Sequence, residues 1–227
     1  MANGRTAVEA SDHLMRVHAK ATGVEPIAGR RCSANSPALQ VWIHVTGWHS
    51  VLKCYERYGP GRLSPTEESR YWAESRIAAE LQTCKPSDVP ASRDEVRDYF
   101  AGVRGQLCTS ERADRAMRYL LYTPRDRGSR LWAGSRVLAP AAIATLPKWM
   151  RRTGGFDQPA FVDAAVVPAA RTLVRGLTVG DSRPMLELAR RLVLHTAQVL
   201  ASHLSAPPPI EQRTVTPAQA REQRVLA

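Results

Sequence analysis

Residues 11–23, SDHLMRVHAKATG, carry the pattern from which the fold of this chain can be worked out. Leu14, Met15 and His18 are spaced by three and four residues, so they share one face of an α-helix. Gly23 is a residue type that commonly ends a helix. The stretch therefore predicts a helix that places a histidine among apolar side chains.

Residues 36–50, SPALQVWIHVTGWHS, predict a second and longer helix. Ser36 is a typical N-cap, and Pro37 suits the first turn because its missing N–H would have no partner there. The helix is expected to run from Pro37 to about Tyr58. It is apolar on nearly all sides in its first three turns, which is typical of a central, buried helix. His44 lies within this apolar run and needs a hydrogen-bond partner, because an unpaired buried polar group costs about 1–3 kcal/mol.

Signals of helix starts recur along the chain. For the first helix, a start near Ala7 is expected, and a shorter helix capped by Ser11 or Asp12 is the alternative. Capping boxes are predicted at Ser64–Glu67 and Ser92–Glu95, where a serine is followed three residues later by a glutamate. Each box is expected to open a further helix.

The rest of the chain adds helices and no predicted strand. Thr109 or Ser110 is expected to cap the next helix, and later helices are expected over residues 159–175 and 183–204. The segment between the first two helices, residues 23–35, is expected to be a loop. We find no sustained alternation of apolar and polar residues. The sequence therefore predicts the all-α class, with about eight helices.

The chain is long enough to bury one substantial core. It has 227 residues, of which 44% are hydrophobic. A run of three prolines, Pro207–Pro209, ends the helical pattern, and the residues after it are polar and rich in glutamine and arginine. We therefore expect one catalytic domain over residues 1–206 and a disordered tail over residues 207–227.

The positive charge of the chain comes almost entirely from arginine. The formal net charge is +11, with 28 arginines and four lysines. Such a balance favours nucleic acid or an anionic surface as a partner. However, the arginines are scattered through all the predicted helices, and an excess of arginine and alanine is also typical of a GC-rich genome. A basic nucleic-acid binder is therefore the weakest of the functions considered.

Cysteine use and hydropathy favour the cytoplasm. The four cysteines form no CxxC pair and no CxxCH motif for haem attachment, so we expect free thiols in a reducing compartment. We find no signal-peptide pattern and no run of eighteen apolar residues. The sequence predicts a cytoplasmic protein without a membrane span.

The common catalytic motifs of phosphate loops, dinucleotide sites, serine hydrolases and zinc proteases are absent from the sequence. Any chemistry must rest on histidines, on arginines or on a cofactor that brings its own reactivity. Four of the six histidines are expected to have no special role: His13, His49, His195 and His203.

His18 and His44 allow two interpretations on the residues alone. Each is either a hydrogen-bonded core histidine or a ligand in a haem pocket. A haem needs an axial imidazole, an apolar slot between helices and arginines for its propionates. Trp42 and Trp48 could line such a slot, and the arginines near it in the sequence are Arg16, Arg30 and Arg31.

The order of these motifs resembles that of the MpaB-type oxygenases and latex-clearing proteins (rubber oxygenases). The resemblance is carried by residues 16–23 (RVHAKATG), 34–37 (ANSP), 42–44 (WIH), 55–59 (YERYG) and 63–65 (LSP). It is specific over about residues 7–70 and stays colinear as far as residue 206. It implies an all-helical, globin-like core that binds haem b and reacts with O2.

The resemblance also implies roles for individual residues. The axial histidine of the latex-clearing branch corresponds to His18, which makes His18 the expected iron ligand. The histidine of the W-V-H motif corresponds to His44, which is expected to orient the haem or its propionates. Arg16 is expected to replace an arginine that the branch has where this chain has Met15. We thus expect His44 and Arg16 to serve the reaction, and these two residues with His18 and Trp42 to bind the haem.

The reactions of the family include oxidative cleavage of isoprenoid double bonds and tailoring of secondary metabolites. The expected reactants are therefore a small apolar organic substrate and O2. Family members usually have a further segment before the helix that carries His18, and we expect this chain to lack it. The alternative function is a haem-free binding or partner protein with the same helical fold.

Overall fold

A computed structural model describes residues 4–178, 183–192, 197–198, 201–202, 205 and 215–225 of the chain. These residues are predominantly helical, which confirms the predicted all-α class. The α-helices are α1 (Gly4–Lys20), α2 (Pro37–Tyr58), α3 (Pro65–Ala78), α4 (Arg93–Arg104), α5 (Glu111–Leu121), α6 (Ser129–Thr145), α7 (Lys148–Thr153), α8 (Ala160–Thr178), α9 (Arg183–Leu192) and α10 (Pro217–Val225). Short 3-10 turns lie at Ala79–Leu81, Pro86–Asp88 and Arg125–Arg127. His195 and His203 lie outside the described residues.

Serine side chains explain where several helices begin. At α3, the Ser64 hydroxyl accepts from the N–H of Glu67, and the Glu67 carboxylate accepts from the N–H of Ser64, which is the predicted capping box. Ser110 caps α5 through a backbone N–H of the first turn. At α4, Ser92 accepts from the N–H of Glu95, but the Glu95 carboxylate bonds to another backbone N–H, so that box is half formed.

The first helix is longer than the alternative in which Ser11 or Asp12 would cap its start. α1 begins at Gly4, so Ser11 and Asp12 lie inside it and the shorter helix is wrong. The buried hydroxyl of Ser11 instead donates to the backbone carbonyl of Leu81. A polar residue inside a helix can thus serve a tertiary contact where the sequence alone suggests a cap.

A short hairpin replaces the loop that the sequence predicted between α1 and α2. Strand β1 (Thr22–Val24) pairs in antiparallel fashion with strand β2 (Arg31–Ser33). The carboxylate of Glu25 accepts from the backbone N–H groups of Ile27 and Ala28 in the turn. Strands of three residues are too short to show a period of two, so the sequence pattern could not reveal them.

α2 has the bounds that the sequence predicted, but it is not buried on all sides. Val45 and Leu52 are buried, whereas Leu39, Ile43 and Val51 are 42%, 55% and 63% exposed. The exposed residues recur every four positions and so form one face of the helix. The expectation of a fully buried helix is wrong because an apolar sequence does not say which of its sides is covered.

The chain divides into two compact units. The first contains Met1–His49, Leu63–Tyr99 and Ala189–Ala227, and the second contains Ser50–Arg62 and Phe100–Leu188. Apolar side chains from α1, the first half of α2, α3, α4 and the segment just before α4 are buried in the first unit: Val8, Val41, Val45, Trp72, Val96 and Val89.

In the second unit, α7 is anchored by a buried arginine. Arg151 pairs with Asp163 of α8 at 2.7 Å and donates to the carbonyl oxygens of Ala144 and Leu146, at 2.8 and 2.9 Å. Burial alone would raise the pKa of Asp163, but hydrogen bonds from Arg151 and Gln158 hold that pKa below its usual value. Arg151 therefore joins the end of α6 to α8 through an ion pair and two hydrogen bonds to backbone carbonyls.

Part of the predicted disordered tail is ordered. Residues 217–225 form α10, which packs on α1. The N–H of Ala218 donates to the Glu80 carboxylate at 2.9 Å, and Arg221 donates to the Glu80 carbonyl at 2.7 Å and lies 3.6 Å from Asp12. The prediction of disorder is wrong for these residues because tertiary contacts stabilise a short polar helix that its composition alone would not.

No described helix combines the length and the apolar character needed to cross a bilayer. All four cysteines are free thiols, as expected; Cys84 is buried, and Cys32, Cys54 and Cys108 are exposed. Location in the cytoplasm stays a prediction.

Candidate functional site

The side chain of Gln40 joins α2 to α1. Gln40 lies in α2 and is 2% exposed, and its Nε2 is 3.3 Å from Nδ1 of His18 in α1. The same Nε2 donates to the backbone carbonyl of Ala34, just before α2. An amide nitrogen can only donate, so Nδ1 of His18 is the acceptor and the proton of the neutral ring lies on Nε2.

His18 borders an exposed apolar surface of the first unit. The side chain is half-buried, and no described residue forms a hydrogen bond with its Nε2. Leu14 lies one turn earlier on the same face of α1 and is 46% exposed, and the neighbouring Val17 is 50% exposed. One ring nitrogen of His18 is thus free beside apolar side chains.

Asn35 ties the segment before α2 to α1. Its Nδ2 donates to the Met15 carbonyl at 2.8 Å, and its own backbone carbonyl accepts from the Thr83 hydroxyl at 2.8 Å. Among the described residues, its Oδ1 is a buried side-chain oxygen without a hydrogen-bond partner. The loop that positions Ala34 for Gln40 is therefore itself fixed on both sides.

His44 is a buried histidine with a hydrogen-bond partner. It is 4% exposed, and its Nε2 lies 2.8 Å from the carbonyl oxygen and 3.2 Å from the hydroxyl oxygen of Ser75 in α3. Burial lowers the pKa of His44, and the hydrogen bond to Ser75 opposes this in part. The ring is therefore neutral near pH 7 and donates from Nε2 to Ser75.

Aromatic rings surround this part of α2. The ring of Trp48 lies 5.8 Å from that of His44 and 5.0 Å from that of Tyr71, and Tyr71 in turn lies 5.2 Å from Trp72. The Tyr71 hydroxyl donates to the backbone carbonyl of Trp48 at 2.5 Å. The rings add apolar surface beside the imidazole, which favours its neutral form.

The other predicted site residues lie at positions that differ in exposure. Trp42 is half-buried in α2, and Arg16 is exposed on α1 and forms no ion pair with a described residue. Arg16 and His18 are two residues apart, and such positions on an α-helix do not face each other. The structure therefore does not bring Arg16 and His18 together.

Two polar residues of α2, one turn apart, form hydrogen bonds to the neighbouring helices. Gln40 reaches His18 in α1, and His44 reaches Ser75 in α3. His44 was predicted from the sequence as a site residue, whereas Gln40 and Ser75 were not. The signal for Gln40 was present, since it is a polar residue inside the apolar run, four positions before His44.

Comparison with known protein families decides the class of the domain. Residues 1–179 match the family described as ER-bound oxygenase mpaB/B'/Rubber oxygenase, catalytic domain. The chain belongs to this family. The resemblance inferred from the motifs is thereby confirmed, and the chain is an oxygenase catalytic domain. No curated protein and no solved structure matches the chain significantly.

The residues around His18 fit a haem b, with one contact that has to change. His18 offers a free Nε2 beside apolar surface, and Leu39 and Ile43 expose further apolar surface on α2. The described residues contain no cluster of three or more His, Cys, Asp or Glu suited to a metal ion, but haem iron needs a single axial side chain. Ligation through Nε2 requires the ring proton on Nδ1, where Gln40 now presents a donor.

Proposed function

We propose that this domain is a haem b-dependent oxygenase that joins O2 to an apolar substrate, of the isoprenoid or secondary-metabolite class. The observation that carries the proposal is the position of His18, whose Nε2 has no hydrogen-bond partner among the described residues and which borders an exposed apolar surface in a domain of an oxygenase family. Bound haem b supplies an iron centre that binds and activates O2.

His18 is the residue that would hold the iron, through Nε2. Half-buried Trp42 and the exposed side chains of Leu14 and Ile43 supply apolar surface for the flat macrocycle and for the substrate. Arg16 has a long, exposed side chain on the same helix as His18. We assign it to a haem propionate, because a guanidinium suits a carboxylate and its position on α1 does not face that of His18.

We assign His44 a positioning role and not that of a proton carrier. Its Nε2 is committed to Ser75, and its pKa is lowered by burial, so it does not gain a proton readily near pH 7. By fixing α2 against α3, His44 holds the helix whose Gln40 contacts His18. It thus supports the site from one turn away.

Labelled dioxygen tests the proposed reaction. Haem-loaded protein is incubated with isoprenoid alkenes of increasing length under ¹⁸O2, and incorporation of ¹⁸O into the products is measured by mass spectrometry. The proposal expects label in an oxygenated or cleaved product that forms with the loaded protein and is absent with the haem-free protein. Label that appears equally with free haem alone would contradict it.

A haem-free binding protein of the same fold is the second candidate. The observation that favours it is the donor that Gln40 presents to Nδ1 of His18, which suits a ring without a metal on Nε2. A protein that is well folded by circular dichroism but takes up no haem from a stoichiometric titration would favour this candidate over the oxygenase.

A further inference from the structure

We propose that Gln40 is a positioning residue for His18, and that the end of its amide facing Nδ1 decides whether His18 can bind iron. The inference rests on the proposed role of His18 as the axial ligand. It concerns a residue of α2 that makes no contact with the iron itself.

The amide of Gln40 is held from two sides within the first unit. Its Nε2 donates to the Ala34 carbonyl and also faces Nδ1 of His18 at 3.3 Å. With 2% of its surface exposed, the amide has little access to water as an alternative partner. Asn35, the next residue after Ala34, is hydrogen-bonded to α1 and to Thr83, so the carbonyl of Ala34 is part of an anchored loop. The orientation of the amide is therefore set by the backbone.

The two ends of the amide have opposite effects on the imidazole. With Nε2 toward the ring, Nδ1 of His18 accepts and the proton lies on Nε2, where it blocks ligation. With Oε1 toward the ring, Nδ1 donates and Nε2 has the free lone pair that a metal needs. The second state gives up the hydrogen bond to Ala34. The apparent haem affinity is then the intrinsic affinity multiplied by the fraction of molecules in which the amide has turned.

Two substitutions separate these effects. Gln40→Glu places only carboxyl oxygens near Nδ1, so we expect it to favour the ring form with the proton on Nδ1. Gln40→Leu keeps the apolar volume but offers Nδ1 neither a donor nor an acceptor. Loss of an outer partner of a metal-bound histidine typically weakens metal affinity about 10–100-fold. We therefore expect Gln40→Glu to bind haem more tightly than the wild type, and about 10–100-fold more tightly than Gln40→Leu.

The tautomer of His18 is measured in haem-free protein, so the test does not depend on haem binding. Long-range ¹H–¹⁵N NMR spectra at pH 8 distinguish a proton on Nδ1 from a proton on Nε2. We expect Nε2–H at His18 in the wild type and Nδ1–H in Gln40→Glu. Exposed His13 on the same helix serves as the internal reference and should not change. Gln106→Glu, at an exposed position of the second unit, is the control with the same change in charge.

Failure of the proposed role of Gln40 can be distinguished from failure of the proposed haem binding. Gln40 has no positioning role if His18 keeps Nε2–H in a folded Gln40→Glu protein. The same conclusion follows if Gln40→Glu binds haem no more tightly than Gln40→Leu. A tautomer that switches as expected in a protein that never takes up haem would support the role of Gln40 in fixing the ring and refute the proposed cofactor. Circular dichroism of each variant checks that the helices are intact.

Discussion

The Nε2 of His44 lies 2.8 Å from the carbonyl oxygen of Ser75, and this hydrogen bond joins α2 to α3 inside the first unit. Both residues are buried, and the Ser75 carbonyl also accepts from the backbone N–H of Ala79 within α3. A hydrogen bond of this kind contributes about 0.5–1.5 kcal/mol to stability. The contact is therefore expected to matter for stability whether or not a cofactor is bound.

His44→Ala is predicted to destabilise the protein. It removes the hydrogen bond from His44 to Ser75, whose net contribution is about 0.5–1.5 kcal/mol, and the lost ring adds a cavity to that cost, while the Ser75 carbonyl keeps the N–H of Ala79. Urea unfolding followed by tryptophan fluorescence measures the change. The control is His13→Ala, at an exposed position of α1, for which a change within about 0.5 kcal/mol is expected. Equal stability of the two variants would show that the contact with Ser75 is unimportant.

Stability is also predicted to depend on pH through His44. Burial holds its pKa below the value in the unfolded chain, which is about 6.5. As the pH falls below that value, the unfolded chain gains a proton at this position and the folded chain does not, so the free energy of unfolding decreases. The loss ends once the pH is below the pKa of the folded state.

This pH dependence is checked by comparing slopes. The free energy of unfolding is expected to fall more steeply between about pH 7 and pH 5 in the wild type than in His44→Phe, which cannot titrate. Lowered carboxyl pKa values, such as that of Asp163, act only at more acidic pH and leave this window free. Parallel slopes in the two proteins would rule out His44 as the source.

In the second unit, substitutions of Arg151 and of its neighbour Arg152 are predicted to have very different effects on stability. Arg151→Ala leaves Asp163 with only the Gln158 amide among the described residues and takes the guanidinium away from the carbonyl oxygens at the end of α6, and breaking such a buried pair costs about 3–5 kcal/mol. The side chain of Arg152 is 73% exposed and lies 3.6 Å from Asp157, so Arg152→Ala should change stability by at most about 1 kcal/mol. Urea unfolding of both variants tests this, and similar losses would contradict it.

α10 is predicted to protect α1 from local opening. Arg221→Ala removes the hydrogen bond to the Glu80 carbonyl and the contact with Asp12, so amides of α1 should exchange with deuterium faster. Glu222→Ala, at an exposed position of the same helix, is the matched control. Exchange in α1 that is the same in both variants would show that α10 does not stabilise this helix.

The parts of the fold that the sequence predicted are those that depend on neighbouring residues. The bounds of α2 follow from Pro37 and from the glycine after Tyr58, and the start of α3 follows from Ser64. Such signals act within one turn of the helix, so they can be found without knowledge of the tertiary structure.

The parts that the sequence did not predict depend on contacts between distant segments. Gln40 meets His18 across 22 positions, and Arg221 meets Glu80 across 141. Arg151 is adjacent in sequence to another arginine, and nothing in the pattern marks it as the buried one. The exposed face of α2 was missed for the same reason, since apolar composition does not identify which neighbours cover a helix.

The most direct measurement for the central claim is the visible spectrum of protein expressed with a haem precursor, recorded beside His18→Ala and His13→Ala. Both substituted residues lie on α1, and only His18 has a ring nitrogen in contact with Gln40. We expect a Soret band in the wild type and in His13→Ala that is lost or strongly shifted in His18→Ala. A Soret band of unchanged position and intensity in folded His18→Ala would show that His18 is not the iron ligand.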